Sequence, residues 1–255
     1  RPTVLQEVQR GLSMKPVLWR IVPQILREIR EGLAQVYANS SLNVGPCITF
    51  GSWIGGDRDG HPFVTPPVTE QTLLWLRQAA LELHIDAGRN LFDSLSLSSQ
   101  QTSLGPEIDD ALTAALERWP HLQSVLREIP PGEVLRRYLA VVLRRLEQTQ
   151  QVGLGEFFVD GAYASPLELA DEIAVLHRAL KATPGNELAT EEIQDWLDKI
   201  HVFGFHLARL DVRQDSQKNA AVVDELLELM GICQDAAALD ESERQRVLVE
   251  TLDQP

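Results

Sequence analysis

Apolar side chains recur at steps of three and four residues along most of this chain. That spacing places side chains on one face of an α-helix, so most of the chain is restricted to packed helices. Near the amino terminus the pattern runs through Val4, Val8 and Leu12 and then resumes. Pro16 and Pro23 interrupt it, and we therefore expect two helices or one kinked helix in this region.

The same periodicity predicts further helices. Pro106 suits a first helical position, and Ser165 suits an N-cap that Glu168 would complete as a capping box. The helices are expected after 66–67, from 106, over 132–150, from 166, over 190–201, over 216–230 and over 240–252. A flexible connection, in part helical, is predicted at 91–105 and a loop at 151–164. Only 47–50 and 203–213 are predicted as strands. The arginines of the 132–150 helix are interpreted as a solvated face or as interdomain ion pairs: Arg136, Arg137, Arg144 and Arg145.

Size and charge limit the function classes. The chain has 255 residues, 44% of them hydrophobic, which is enough for one large domain or two small ones. A formal net charge of -14 repels phosphate backbones and argues against nucleic-acid binding. No apolar run approaches the roughly 18 residues needed to span a bilayer, and no signal-peptide core is found, so we expect a cytoplasmic protein. Cys47 and Cys233 lack metal or redox spacing and are expected to be buried thiols.

The most unusual segment is the glycine-rich stretch at 51–62, which reads GSWIGGDRDGHP. Its four glycines permit backbone conformations closed to other residues and let a ligand approach the main chain. Arg58 is a permanent cation suited to a carboxylate or a phosphate. Asp57 and Asp59 could orient it, bind a metal or cap the turn. The glycine spacing matches neither a Walker A loop nor a dinucleotide fingerprint.

A structural interpretation of the same segment stays open. The aspartates would satisfy backbone amides in an ordered turn, and Arg58 would pair with one of them. Trp53 would then serve in simple packing.

The second unusual segment is the predicted strand at 203–213. Side chains two apart share a face of a strand, so Arg209, Asp211 and Arg213 lie together. Two guanidiniums exceed what one carboxylate can neutralise, and the surplus cation favours an anion site, with phosphate as the natural ligand. In an internal strand these charges would be costly to bury without partners. The alternative is an edge strand with a solvated Arg-Asp-Arg ladder.

Together the two segments resemble phosphoenolpyruvate carboxylases. The family carries a Gly-Ser-Trp-hydrophobic-Gly-Gly-Asp-Arg-Asp-Gly-Asn-Pro loop, matched here by 51–62. It also carries Phe-Gly followed by Arg-Leu-Asp-Ile-Arg-Gln, matched by 203–204 and 209–214. Both motifs are long, and they occur in the family's order. His61 departs from the pattern, because the family usually has Asn there.

The resemblance implies an enzyme that joins bicarbonate to phosphoenolpyruvate, giving oxaloacetate and phosphate with Mg²⁺ or Mn²⁺. It implies that Arg209 contacts the substrate phosphate and that Arg213 is a supporting cation. It also implies that Trp53 and Arg58 line the catalytic region near the bicarbonate or CO₂ pocket. A cytoplasmic, anaplerotic and allosterically regulated homotetramer is implied for the whole enzyme.

Several family features are missing from the chain. These are the catalytic His of a Thr-Ala-His-Pro-Thr motif, the Gly-Arg-Gly-Gly loop and the metal-binding carboxylates. We therefore expect an internal fragment from the N-terminal half of a bacterial-type enzyme, inactive alone, with its metal ligands outside this chain. The expected fold is mainly α-helical with one or two short strands, part of an α/β (TIM-like) barrel enzyme with many surrounding helices.

Within that fragment we predict five segments. They are a helical arm at 1–45, a strand and glycine-rich active-site loop at 46–66, a helical region at 67–201, a barrel strand at 202–215 and helices at 216–255. Two alternatives to a carboxylase fragment stay open. One is a non-catalytic helical interaction or regulatory module of shared ancestry. The other is an unrelated enzyme that binds a phosphorylated acid at Arg209.

Overall fold

Helices dominate the computed structural model, which describes residues 2–37, 45, 47–95, 106–153, 159–183 and 186–252. The described α-helices are α1 Val4–Leu12, α2 Lys15–Val36, α3 Pro66–Leu95, α4 Pro106–Arg118, α5 Val134–Gln151, α6 Pro166–Lys181, α7 Glu187–Phe203, α8 Ser216–Leu229 and α9 Glu241–Leu252. Short 3₁₀ helices span Pro120–Leu126 and Ala236–Ala238. Two strands, β1 Gly51–Ser52 and β2 Arg209–Leu210, pair in parallel. The prediction of a mainly helical chain with one or two short strands is confirmed.

The helix starts follow local rules. Thr3 and Gln6 form a reciprocal capping box at α1, in which the Thr3 hydroxyl accepts from the Gln6 amide at 3.3 Å. Ser165 caps α6 as predicted, whereas the Glu168 carboxylate accepts from the Ala164 amide rather than from that of Ser165. The break between α1 and α2 makes the amino-terminal region two helices. Pro23 lies inside α2, which continues through it.

The first predicted strand was placed wrongly, and the second was predicted too long. The first was expected at 47–50 and lies at Gly51–Ser52, while the second was expected at 203–213 and is limited to Arg209–Leu210. Helix α7 instead continues to Phe203, and the chain then turns through Gly204 at φ 50° and Leu207 at φ 59°. Such positive φ values break an extended strand, so the alternation expected from residue 203 onward begins only after this turn.

Other boundaries also changed. Helix α3 continues to Leu95, so the connection predicted at 91–105 is helical in its first part, and 96–105 lie outside the described residues. The loop predicted at 151–164 includes 154–158, which are also outside them. Cys47 is exposed and Cys233 partly exposed, so the expectation of buried thiols was wrong. No helix in the described ranges is long and apolar enough to cross a membrane.

The main hydrophobic core lies among helices α3 to α7. Buried leucines, isoleucines and aromatics from these helices interlock there: Leu81, Leu95, Leu139, Leu146, Leu169, Ile173, Leu176, Ile193 and Trp196. A smaller core joins α2, α3 and α7 to the turn before β2. Phe203 at the end of α7 stacks on Phe50, with ring centroids 5.5 Å apart. Because Phe50 directly precedes β1, this smaller core anchors both strands.

One arginine of α5, Arg145, is buried, which contradicts the interpretation of these arginines as a solvated face. Its side chain is almost fully buried, and its guanidinium donates to the Gly161 carbonyl oxygen at 2.9 Å and pairs with Glu172. The guanidinium carbon also lies 3.9 Å from the ring centroid of Trp119 and 4.0 Å from that of Tyr163. These partners offset the cost of burying a charge. Arg145 thus connects α5 and α6 to the segment between them.

His84, which is buried within α3, connects three parts of the fold. Its Nε2 atom donates to the Gly204 carbonyl oxygen at 2.9 Å, and its Nδ1 atom accepts from the Trp196 indole at 3.1 Å. These two bonds require a neutral ring with the proton on Nε2. Burial lowers the pKa of His84 from 6.5 to about 4. The residue therefore holds the turn that leads to β2 only while it is uncharged.

This pKa shift predicts how stability changes with pH. Because the folded-state pKa lies below the unfolded one, the contribution of His84 is complete above pH 6.5 and is lost as pH falls toward 4. His84→Gln offers the same donor and acceptor without titrating. Between pH 7 and pH 5 the natural chain should lose about 2 kcal/mol more unfolding free energy than the variant, measured by urea unfolding. Equal losses in the two proteins would contradict the buried neutral imidazole.

Candidate functional site

The two sequence motifs meet along the parallel strand pair. Gly51 lies opposite Arg209, and Ser52 lies opposite Leu210. The Arg209 amide donates to the Phe50 carbonyl oxygen at 2.9 Å, and the Asp211 amide donates to that of Ser52 at 2.8 Å. Pairing that links segments this distant in sequence places the glycine-rich loop beside the arginine segment.

The main-chain contacts continue beyond the strands. The Arg213 amide donates to the Gly56 carbonyl oxygen at 2.9 Å, and the Arg58 amide donates to that of Arg213 at 3.0 Å. A turn closes the loop, because the Gly56 amide donates to the Trp53 carbonyl oxygen at 2.9 Å. Residues 53–60 and 211–213 therefore follow the carboxyl ends of two adjacent parallel strands. In α/β folds this end of the sheet carries the binding residues.

Two glycines make this close packing possible. Gly55 has φ 90°, and a Cβ atom there would lie 2.2 Å from the Thr72 hydroxyl oxygen. A Cβ atom on Gly56 would lie 2.4 Å from the Asp211 carbonyl oxygen. Both distances are far below van der Waals contact. The loop needs glycine at 55 to pack on α3 and at 56 to pack on the segment after β2.

Arg58 is held by helix α3 rather than by its neighbouring aspartates. Its Nε atom donates to the Thr69 hydroxyl at 3.2 Å, and that hydroxyl donates to the Gly55 carbonyl oxygen at 2.8 Å. The two terminal guanidinium nitrogens form no hydrogen bond or ion pair with the described part of the chain. The alternative in which Arg58 pairs with Asp57 or Asp59 is therefore wrong.

Asp57 and Asp59 interact with each other. Interaction with the Asp59 carboxyl group raises the pKa of Asp57 above its ordinary value, and loss of hydration and the negative charge of Asp59 act in the same direction. The nearby charge of Arg213 opposes this shift. The neighbouring Asp59 carboxyl group therefore makes Asp57 easier to protonate than an isolated aspartate.

Two of the three charged residues in the second motif pair with each other, and the third has no side-chain partner among the described residues. Arg213 pairs with Asp211, with 2.9 Å between the Arg213 Nε atom and the carboxylate, and this bond raises the pKa of Arg213. Both side chains are more than half exposed, at 58% and 57%. Arg209 is also exposed and forms no side-chain bond with any described residue. The solvated ladder is therefore limited to Asp211 and Arg213, and Arg209 is the surplus cation.

Exposed apolar side chains surround this corner of the molecule. Trp53 is 63% exposed, Phe63 73% and Val212 50%. Trp53 therefore does not pack in the core of the described residues, contrary to the alternative in which it serves in simple packing. An indole exposed on the surface of the described residues is available to a ligand or to another part of a longer chain.

The divalent metal implied by the resemblance does not fit these residues. Within the ranges that the structure describes, no three His, Cys, Asp or Glu side chains cluster as a metal-binding set. No catalytic step is therefore assigned to a metal held by these residues.

Sequence reasoning missed Thr69 and His84. Thr69 lies in the first turn of α3, where a threonine carries no motif, and His84 lies on an otherwise apolar helix. Each is nevertheless fully or almost fully buried and bonded to a segment that enters the site. The local sequence contained no signal for either contact, because the partner comes from elsewhere in the chain.

The fold and site define a mainly helical protein in which two short parallel strands bring the arginines of two distant segments together. The sequence model of the family described as phosphoenolpyruvate carboxylase matches residues 1–255. The chain belongs to the phosphoenolpyruvate carboxylase family.

Curated relatives agree with the family match. The chain is 31% identical over 264 residues to a phosphoenolpyruvate carboxylase of Roseiflexus castenholzii, covering 100% of this chain and 28% of the relative. It is 34% identical over 261 residues to that of Rhodothermus marinus, covering 100% and 27%. A third, from Parasynechococcus marenigrum, is 31% identical over 276 residues, covering 99% and 27%. The chain thus spans little more than a quarter of the relatives' length.

The close packing of the loop makes a direct prediction. Gly56→Ala should lower the unfolding free energy by about 1–3 kcal/mol, because the added methyl group meets a main-chain oxygen that cannot move without breaking strand pairing. Gly51→Ala is the matched control, since its methyl group would have its nearest neighbour at 3.8 Å. Chemical unfolding of both variants checks this. Equal effects would show that the loop does not pack on the segment after β2.

Proposed function

We propose that this chain forms one wall of the active site of a phosphoenolpyruvate carboxylase. The whole enzyme would join phosphoenolpyruvate and bicarbonate, giving oxaloacetate and phosphate. The observation that carries the proposal is the strand pairing, which puts the two family motifs at one end of a parallel sheet. Membership of the family supports the choice of reaction.

Arg209 is proposed to bind the phosphate of phosphoenolpyruvate. Its guanidinium is exposed and unpaired within the described residues, so an incoming phosphate would not have to displace a carboxylate. Guanidinium groups bind phosphate through two parallel hydrogen bonds. Arg213 is proposed as a supporting cation, because its charge is already shared with Asp211.

Arg58 and Trp53 are proposed to line the region where bicarbonate reacts. Transfer of the phosphoryl group from phosphoenolpyruvate to bicarbonate breaks the enol C–O–P linkage and gives carboxyphosphate and the enolate of pyruvate. The carbon dioxide released from carboxyphosphate then forms a C–C bond with that enolate. The free nitrogens of Arg58 could stabilise the moving negative charge, and the exposed indole of Trp53 could exclude water.

The strand pair is proposed to be part of an α/β barrel in the whole enzyme. Strands of two residues are too short to be stable alone. Three exposed apolar side chains beside them offer surface for further chain to cover: Trp53, Phe63 and Val212. In such barrels the active site lies at the carboxyl ends of the strands, where the loop after β1 and residues 211–213 after β2 lie here.

The remaining parts of the active site are proposed to lie outside this chain. Mg²⁺ or Mn²⁺ ligands and the catalytic His would come from other segments of the whole enzyme, and the metal would supply charge stabilisation for the transferring phosphoryl group. We also propose that the whole enzyme is an allosterically regulated homotetramer in the cytoplasm.

Removal of the surplus cation tests the role of Arg209. In the full-length enzyme, Arg209→Ala should lower kcat/KM for phosphoenolpyruvate by about 10²–10³-fold, because one charged contact to the transferring group is lost. Arg89→Ala is the control, since Arg89 is an exposed arginine of α3 paired with Glu147. Steady-state kinetics checks both. An unchanged kcat/KM for Arg209→Ala would contradict the proposal that Arg209 binds the substrate phosphate.

The isolated chain should not form oxaloacetate. Residues 1–255 alone are expected to show no turnover in an assay coupled to malate dehydrogenase, because the metal ligands and the catalytic His are proposed to lie elsewhere. The full-length enzyme is the positive control. Oxaloacetate formation by the isolated chain would contradict the proposal that its active site is incomplete.

A further inference from the structure

Thr69 is placed where helix α3 meets the glycine-rich loop. Only 3% of the residue is exposed, and its hydroxyl bonds to two points of the loop. It accepts a hydrogen bond from Arg58 Nε at 3.2 Å and donates one to the Gly55 carbonyl oxygen at 2.8 Å. The Thr65 carbonyl oxygen, an alternative acceptor one helical turn earlier, lies farther away at 3.3 Å.

This arrangement restrains Arg58 without using its binding capacity. A guanidinium has five N–H donors, and its Nε donor is the one attached to the flexible stem. A bond at Nε fixes the direction of the side chain and leaves the two terminal nitrogens for a ligand. The same hydroxyl also holds the carbonyl of Gly55, the residue whose φ of 90° turns the loop.

We propose that Thr69 is a positioning residue for the carboxylation reaction, whose hydroxyl holds the Arg58 guanidinium toward the substrate. The inference rests on the proposed function, because it requires Arg58 to contact a reacting group. Thr69 itself is buried behind the loop and acts through Arg58. An arginine held in advance loses less rotamer entropy when the transition state forms, so loss of the hydroxyl should affect the reaction more than the fold.

Helix α3 also provides a matched control. Thr72 lies one turn after Thr69 and is equally buried, at 1% exposure. Its hydroxyl donates to the Val68 carbonyl oxygen of its own helix at 2.7 Å and forms no bond to the loop. Thr→Val at either position preserves side-chain shape and removes one buried hydroxyl. Only the change at Thr69 also removes a link to Arg58.

The first experiment compares three variants of the full-length enzyme. Thr69→Val should lower kcat on the order of 10- to 100-fold, the effect expected for a lost hydrogen bond to a charged group. The KM for phosphoenolpyruvate should change little, because Arg209 is intact. Thr69→Ser, which keeps the hydroxyl, and Thr72→Val should remain within about threefold of the natural enzyme. An unchanged kcat for Thr69→Val, or a loss of kcat in Thr69→Ser equal to that in Thr69→Val, would overturn the inference.

A double-mutant cycle separates positioning from a purely structural role. If Thr69 acts through Arg58, Thr69→Val should have almost no further effect on kcat once Arg58→Ala is present. The same loss in both backgrounds would show that Thr69 acts through the loop backbone alone, and would overturn the inference. Thr69→Ala replaces Thr69→Val in the cycle if the valine variant fails to fold.

The same measurements separate this inference from the proposed function. If Arg58→Ala leaves kcat unchanged, the proposed role of Arg58 and the positioning role of Thr69 are overturned together. If Arg58→Ala lowers kcat and Thr69→Val leaves kcat unchanged, only the positioning role of Thr69 is overturned. Thermal unfolding measures the accompanying loss of stability, which should be larger for Thr69→Val than for Thr72→Val because the Thr69 hydroxyl also bonds to the Gly55 carbonyl oxygen and to Arg58.

Discussion

The parallel main-chain pairing between the glycine-rich loop and the arginine segment is the interaction on which the site depends. At least four main-chain hydrogen bonds connect them, from the Phe50 carbonyl and the Arg209 amide at one end to Arg58 and Arg213 at the other. Without this pairing the arginines of the two family motifs would belong to unrelated surfaces. The absence of Cβ atoms at two glycines allows this packing, because a Cβ atom on Gly56 would meet the Asp211 main chain and one on Gly55 would meet the Thr72 side chain of α3.

Two-residue strands cannot maintain this pairing alone, so the surrounding helices must hold both segments. Phe50 and Phe203 stack in the smaller core directly before the strands. His84 fixes the turn after α7, and Thr69 fixes the loop after β1. Both of these polar residues lie on α3, so one helix orients the two halves of the site. Burial keeps their bonds from competing with water, which makes each contact directional.

Features set by neighbouring residues were predictable from the sequence, and features set by distant contacts were not. The start of α4 at Pro106 and the cap at Ser165 followed from local backbone chemistry. The extent of β2 did not, because its hydrogen bonds come from a distant segment. Arg145 appeared to belong to a solvated helix face, yet aromatic rings and carboxylates from α6 and its neighbours enclose it. The site motifs were recognisable, whereas the partner of Arg58 was not.

The central claim is that the paired segments form one wall of a site that binds phosphoenolpyruvate. A crystal structure of the full-length enzyme with phosphoenolpyruvate tests it most directly. The account predicts the substrate phosphate within hydrogen-bonding distance of the Arg209 guanidinium, roughly 2.7–3.1 Å, with the loop at 51–60 beside it. A phosphate bound elsewhere, with Arg209 directed into solvent, would contradict the account.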